Sequence, residues 1–249
     1  MSHISGDADN HKTEIELISS NRWGSDIKVD EKLVAERLLE IKKEIAPCNL
    51  RIIGVTKYFG LDAIVSGYNA GIRDFGESRA NDAIKKIEAL PNEIRENSKF
   101  HFIGHLQSNK VEKVVKNFDY IQSIDSLKLA QAVSQVACSL NKREKVLLQV
   151  NVSGEEQKFG YEVEALLSEI PELIKLAGLD ITGLMCMAPF GAEEKLLREV
   201  FSNLRKLRDA IEKEFGIVLP ELSMGMSDDY KVAIDEGATM IRIGRKLFK

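Results

Sequence analysis

The chain has 249 residues, of which 44% are hydrophobic and 30% charged, the balance of an ordinary globular protein. Lys and Arg total 35 against 39 Asp and Glu, so the formal net charge of −4 provides no global field to draw in nucleic acid or an anionic membrane surface. No run approaches the roughly 18 uninterrupted apolar residues of a spanning helix, so no membrane partner is expected.

In chain order, residues 1–25 are polar and lack a sustained apolar period, and they read as a loose arm ahead of a single domain over 26–249. The opening MSHISGDADNHKTE is polar where a secretory leader needs an apolar stretch. Three scattered cysteines (Cys48, Cys138, Cys186) form no CxxC or Cys/His cluster, which argues against a disulfide framework or structural zinc and predicts a reducing, cytoplasmic compartment. There the Asn151-Val152-Ser153 sequon would be idle. From Asp30 the pattern turns helical: Val34, Leu38, Leu39, Ile41 and Ile45 are expected on one face, with Pro47 ending the run.

Eight β-rich runs follow, at 50–57, 73–77, 100–104, 120–125, 145–152, 179–187, 221–225 and 240–244, with amphipathic helical patterns between them. Such alternation implies right-handed βαβ crossovers and a parallel sheet. Eight units in this length predict an α/β fold, one closed (β/α)8 barrel with an extra N-terminal helix. The alternative, a doubly wound open sheet, would normally carry a glycine-rich phosphate turn after its first strand, and VTKYFG does not fit GxGxxG.

In a barrel the C-terminal strand ends and the loops beyond them face the ligand. Lys57 ends the apolar run Ile52–Thr56, where a desolvated amine could form a Schiff base with an aldehyde or could simply snorkel to water. Arg242 alternates with Ile241 and Ile243, so it shares the lining face with Met240 and Gly244 and needs a partner, such as an acidic residue of a neighbouring strand. The loops after the seventh and eighth strands form the usual phosphate site of a barrel, and here they carry Ser227 and Ile243-Gly244-Arg245. Ser227 can donate to a phosphate or N-cap a helix starting at Asp228-Asp229, whose carboxylates push an anion toward the eighth strand and Arg245. Glu77, His101, His105 and Gln107 to Asn109 gather at the second and third strand ends, where each histidine reads as structural and HExxH is absent. Asp125 is expected to cap the helix that follows it.

Several pieces, in order, resemble the pyridoxal-phosphate-binding homeostasis proteins, which are related to the barrel domain of alanine racemase. They are IIGVTKYFG (52–60), FGESRANDAIKKI (75–87), HFIGHLQSNKVEKV (101–114), SIDSLKLA (123–130), LLQVNVSGEEQKFG (147–160), ITGLM (181–185) and LSMGMSDDYKVAIDEGATMIRIGRKLF (222–248). The resemblance implies that Lys57 holds pyridoxal 5'-phosphate as an aldimine and that Arg242 points at the pyridine nitrogen. It also implies that Ser227 and the backbone of Ile243, Gly244 and Arg245 hold the phosphate. The chain departs from the family pattern at Ser78, where an asparagine is usual, at Arg245, where a small hydroxyl residue is usual, and at Cys186, where LMT is usual.

An arginine at the pyridine nitrogen leaves it unprotonated, which weakens the ring as an electron sink while transimination can still proceed. The resemblance therefore implies a carrier or buffer that maintains intracellular pyridoxal phosphate rather than a strong catalyst, with apo forms of pyridoxal-phosphate enzymes as possible recipients. A slow amino-acid racemase, which would need a second acid/base, and a cofactor-free lysine aldolase stand as alternatives. Tyr58 is expected to face away from Lys57, because neighbours in a strand point to opposite faces. The sequence stops five residues after Arg242-Ile243-Gly244, so no second domain is expected, and a monomer is the default.

Overall fold

The computed structural model describes residues 28–46, 48, 50–153 and 159–249. The expected arm at 1–25, the helix stop at Pro47 and the stretch 154–158 of the LLQVNVSGEEQKFG segment lie outside the described residues.

The first described element is α1 (Glu31–Ile45), begun by Asp30, whose carboxylate accepts from the backbone N–H groups of Lys32 and Leu33. Its buried face is Val34, Leu38, Ile41 and Ile45, a spacing of 4, 3 and 4. Leu39, expected on that face, is 54% exposed, because one residue beyond Leu38 turns about 100° around the helix.

The eight expected strands are all present: β1 (Arg51–Val55), β2 (Asp74–Glu77), β3 (Lys99–Phe102), β4 (Tyr120–Ile124), β5 (Glu144–Gln149), β6 (Leu179–Met185), β7 (Glu221–Ser223) and β8 (Met240–Ile243). Every neighbouring pair is parallel, and β8 pairs back to β1 through Arg51 with Met240 and Ile53 with Arg242, so the sheet closes into a barrel. The helices between strands are α2 (Leu61–Asn69), α3 (Ala80–Ala89), α4 (Asn92–Glu96), α5 (Val111–Asn117), α6 (Leu127–Ser139), α7 (Val163–Leu173), α8 (Glu194–Phe215) and α9 (Tyr230–Asp235); α10 (Arg245–Phe248) follows β8. Among the described residues no helix is long and apolar enough to cross a membrane.

Two apolar layers hold the barrel. The outer one lies between strands and helices; in the inner one Ile53, Tyr120, Leu147, Met185 and Met240 fill the bore. The N-terminal mouth is plugged by ions: Arg51 reaches Glu221 at 3.1 Å and Asp74 at 3.6 Å, and Tyr120 donates to Glu221. Gly183 permits the close approach of β6 and β7, since a Cβ there would lie 1.8 Å from the Glu221 carbonyl oxygen. α1 packs on α2 and α10, and it ties down the other end of the sequence. Arg37 donates to the Leu247 carbonyl, and Glu44 accepts from both Lys246 and the Tyr230 hydroxyl.

Candidate functional site

β1 stops at Val55, two residues short of the run expected to reach Lys57. The chain then makes a tight turn in which the Phe59 N–H donates to the Thr56 carbonyl at 3.0 Å. Because Lys57 and Tyr58 sit in this turn and not in the strand, strand alternation does not separate them, and both line one cavity at the C-terminal mouth. This corrects the expectation that Tyr58 faces away. The Lys57 ammonium lies 5.0 Å from the centre of the Tyr58 ring and has no acidic partner among the described residues. The Arg79 guanidinium lies 6.0 Å from the same ring centre.

The turn is held from behind by a buried lysine. Lys86 lies on the apolar face of α3, beside Ala83 and Ile87, and is 2% exposed. Its ammonium donates to the carbonyls of Thr56 at 3.0 Å and Phe59 at 3.3 Å, and it pairs with the buried Glu77 at the end of β2. Thr56 also donates its hydroxyl to Glu77 at 2.8 Å. Sequence reading noted Glu77 and missed Lys86. The available signal was the i, i+3, i+4 spacing of Ala83, Lys86 and Ile87, which puts a lysine in a core stripe.

The cavity has a volume of about 560 Å³. Val55, Ile103, Met185, Met187, Pro189 and Leu197 supply apolar wall, while Lys57, Ser227, Arg242 and Arg245 supply polar groups. Arg242 is 4% exposed, and burial pushes its guanidinium below the usual arginine range, opposed by the nearby Cys186 and Asp229. Among the described residues it forms no ion pair with a neighbouring strand, contrary to one expectation. It donates instead to neutral acceptors, the Ser223 hydroxyl at 2.7 Å and the Cys186 carbonyl at 2.8 Å.

Four of the expected phosphate-side residues can be followed individually. Ser227, Gly244 and Arg245 all line the cavity with Lys57 and Arg242. The Ile243 side chain is buried in the outer layer, so only its backbone can serve the site. Ser227 does not cap α9. α9 begins at Tyr230 after Asp229, and the Ser227 hydroxyl accepts from the Lys246 N–H at 3.3 Å, joining the loop after β7 to α10. Asp229 accepts from the Met226 N–H and closes its own loop, in which Gly225 has φ +90°. Asp228 pairs with Arg245 at 2.6 Å, and the Arg245 guanidinium lies 5.8 Å from the ring centre of Phe190, which is 86% exposed at the rim.

Ser78 lines a separate cavity of about 250 Å³, with Arg79, His105, Gln107 and Lys110. His105 pairs with Asp125 at 3.3 Å and stacks on Phe159. Asp125 therefore does not cap α6. The cap is Ser126, whose hydroxyl accepts from the Leu129 N–H.

The chain can now be set beside known proteins. Residues 29–249 match the family described as "Alanine racemase, N-terminal domain". A "Pyridoxal phosphate homeostasis protein" of Synechocystis sp. is 45% identical over 202 residues, covering 81% of this chain and 92% of the relative. One from Aquifex aeolicus is 39% identical over 198 residues, covering 80% and 86%. PipY of Synechococcus elongatus, solved without PLP, superposes with a TM-score of 0.82 at 37% identity, covering 87% of this chain and 100% of PipY; its structure with PLP bound gives 0.80 at 36% identity, with the same coverage. The alanine racemase of Clostridium difficile in complex with cycloserine, at 17% identity and a TM-score of 0.74, shares the fold over 88% of this chain and 60% of that one. With a matching family model across the barrel and relatives of this identity over most of both chains, the chain belongs to the pyridoxal phosphate homeostasis protein family, whose barrel is that of the alanine racemase N-terminal domain.

Proposed function

We propose that this protein binds pyridoxal 5'-phosphate on Lys57 and serves as a carrier and buffer of that reactive aldehyde. One observation carries the reading. An amine with no acidic partner among the described residues and a buried arginine held by neutral acceptors line the same apolar-walled cavity, which has room for a pyridine ring and a phosphate. The PLP-bound structure of PipY and the names of the relatives support the choice of ligand.

The residues present suit that group. Lys57 would hold the aldehyde carbon through its amine, in a linkage that an incoming amine could exchange. Arg242 can only donate hydrogen bonds, so it meets the ring nitrogen in its unprotonated form. Ser227, the backbone at Ile243 and Gly244, and the Arg245 guanidinium receive the phosphate. When bound, the ligand supplies an exchangeable aldehyde carbon and only a weak electron sink, which favours hand-over to apo pyridoxal-phosphate enzymes above carbanion chemistry. The carrier works as a cytoplasmic monomer in this reading.

A second reading, slow amino-acid racemisation, has one observation in its favour: Tyr58 faces the same cavity as Lys57 and its ring lies beside the amine.

The test uses the full chain with added pyridoxal phosphate. The wild type is expected to develop visible absorption, and borohydride reduction followed by peptide mapping to label Lys57. A label on another lysine, or no adduct, overturns the assignment. Solvent deuterium appearing at Cα of added amino acids with turnover would favour the racemase.

A further inference from the structure

The bore of the barrel contains a line of hydrogen bonds that the ligand reading does not use. Arg242 Nη1 donates to Ser223 Oγ at 2.7 Å. Ser223 Oγ lies 2.7 Å from Gln122 Oε1, Gln122 Nε2 lies 2.9 Å from His101 Nδ1, and His101 Nε2 lies 2.9 Å from Asp74 Oδ1. Ser223, Gln122 and His101 are each 0% exposed. The line runs from the ligand cavity on β8, across β7, β4 and β3, to the ionic plug at the opposite mouth on β2.

Its polarity is set by its two ends. Arginine has no acceptor, so the Ser223 oxygen accepts and its own proton passes on to Gln122 Oε1. The Gln122 amide nitrogen then faces His101, and its second hydrogen points toward Met240 Sδ at 3.8 Å. Nδ1 of His101 must accept, which leaves the proton on Nε2, aimed at a carboxylate that can only accept. With a donor-only group at one end and an acceptor-only group at the other, every donor and acceptor of the line is used when the His101 proton sits on Nε2.

A second proton on His101 would oblige Gln122 to turn over, and Ser223 would then face two donors, Gln122 and Arg242. The groups packed around His101 are Asp74 on β2, the Tyr120 ring stacked at 4.4 Å on β4, and Arg51 on β1 behind Asp74. Arg51 in turn is shared with Glu221 on β7.

We propose that Gln122 and His101 are positioning residues for Arg242, holding its guanidinium at one angle so that an N–H is presented to the ring nitrogen of a bound pyridine. The proposal rests on the ligand reading above for what Arg242 meets, and on this geometry alone for how Arg242 is held.

Two measurements on the full chain separate the two. The first needs no ligand: nitrogen NMR of the histidine rings, tractable with 4 histidines in the chain. His101 is expected as the neutral Nε2–H tautomer near neutral pH; an Nδ1–H tautomer or a doubly protonated ring overturns the relay. The second is an absorption titration with pyridoxal phosphate. Gln122→Met keeps volume and removes both hydrogen bonds, and it is expected to shift the absorption band of the bound ligand and weaken affinity about 10-fold, the size of one lost buried hydrogen bond. Gln122→Glu keeps an acceptor for Ser223 and is expected to restore the band. A folded Gln122→Met with the wild-type band and affinity overturns the proposal. A wild type that binds no pyridoxal phosphate sinks the ligand reading, while the NMR result still decides the relay.

Discussion

Lys86 and Glu77 form a buried ion pair directly behind the turn that carries Lys57, and the same ammonium holds the carbonyls on either side of Lys57 and Tyr58. A buried pair gains little over a well-packed apolar pair, but removing one member leaves an uncompensated charge. Lys86→Met is therefore expected to lower stability by about 3–5 kcal/mol in urea unfolding. Adding Glu77→Gln to the same chain should recover part of that loss. Both variants should bind pyridoxal phosphate more weakly than the wild type, because the turn has lost its carbonyl anchors. A Lys86→Met chain as stable as the wild type would show that the pair does not hold the turn.

Arg242→Glu is expected to change the spectrum of bound ligand more than its affinity. A carboxylate in that place favours a protonated ring nitrogen, where arginine favours the bare one. An absorption titration of this variant beside the wild type checks it, and an unchanged spectrum would count against contact with the ring.

Asp228 is paired with Arg245, so in the proposed reading it competes with a phosphate that enters the cavity beside Ser227. Both side chains are more than half exposed, so the pair itself contributes little to stability. Asp228→Asn is expected to tighten pyridoxal phosphate and inorganic phosphate binding a few-fold, and Arg245→Ala to weaken both. The difference should shrink in high salt, where exposed charges are screened. Titrations at two ionic strengths decide it.

Glu144, at the N-terminal mouth of the barrel, has a side chain with no exposed surface, and burial raises its carboxyl to about 7 despite Lys142 at 2.7 Å. The folded state thus holds a proton that the unfolded state releases in the ordinary carboxylate range. The contribution of Glu144 to stability should be greatest below that range, fall as pH rises from about 4.5 to about 7, and level off above. The slope in that window is about 1.4 kcal/mol per pH unit. Glu144→Gln mimics the protonated form, so it should stabilise the protein by about 3 kcal/mol at pH 8 and by little at pH 4. Equal effects at both pH values would refute the account.

The alternation of short β-rich runs with period-3.6 amphipathic runs revealed the strand order and the barrel, because the helices bury one face while strands covered on both sides read as short apolar runs. The strand ends were less legible. The runs expected at 50–57, 145–152 and 179–187 each carry β-rich residues past the end of the strand, at Val55, Gln149 and Met185. That overrun also misplaced Tyr58. Lys57, Ser227, Arg242, Gly244 and Arg245 were legible as polar or small residues where a barrel opens. The partners of Arg242 were not, since Ser223 lies on β7 and the Cys186 carbonyl just beyond β6, and no local pattern signals contacts so distant in sequence. Asp125 and Ser126 show the limit at closest range: both can cap a helix, and only the geometry reveals that His105 has claimed the aspartate.

The seam between β1 and β8 has a bearing on biogenesis. Lys57 leaves the ribosome early, whereas Arg242 and Gly244, on the other side of the same cavity, emerge only after seven strands have been made. A nascent chain therefore has Lys57 but no vessel around it, and in the proposed reading selective capture of an aldehyde waits until the sheet has come full circle.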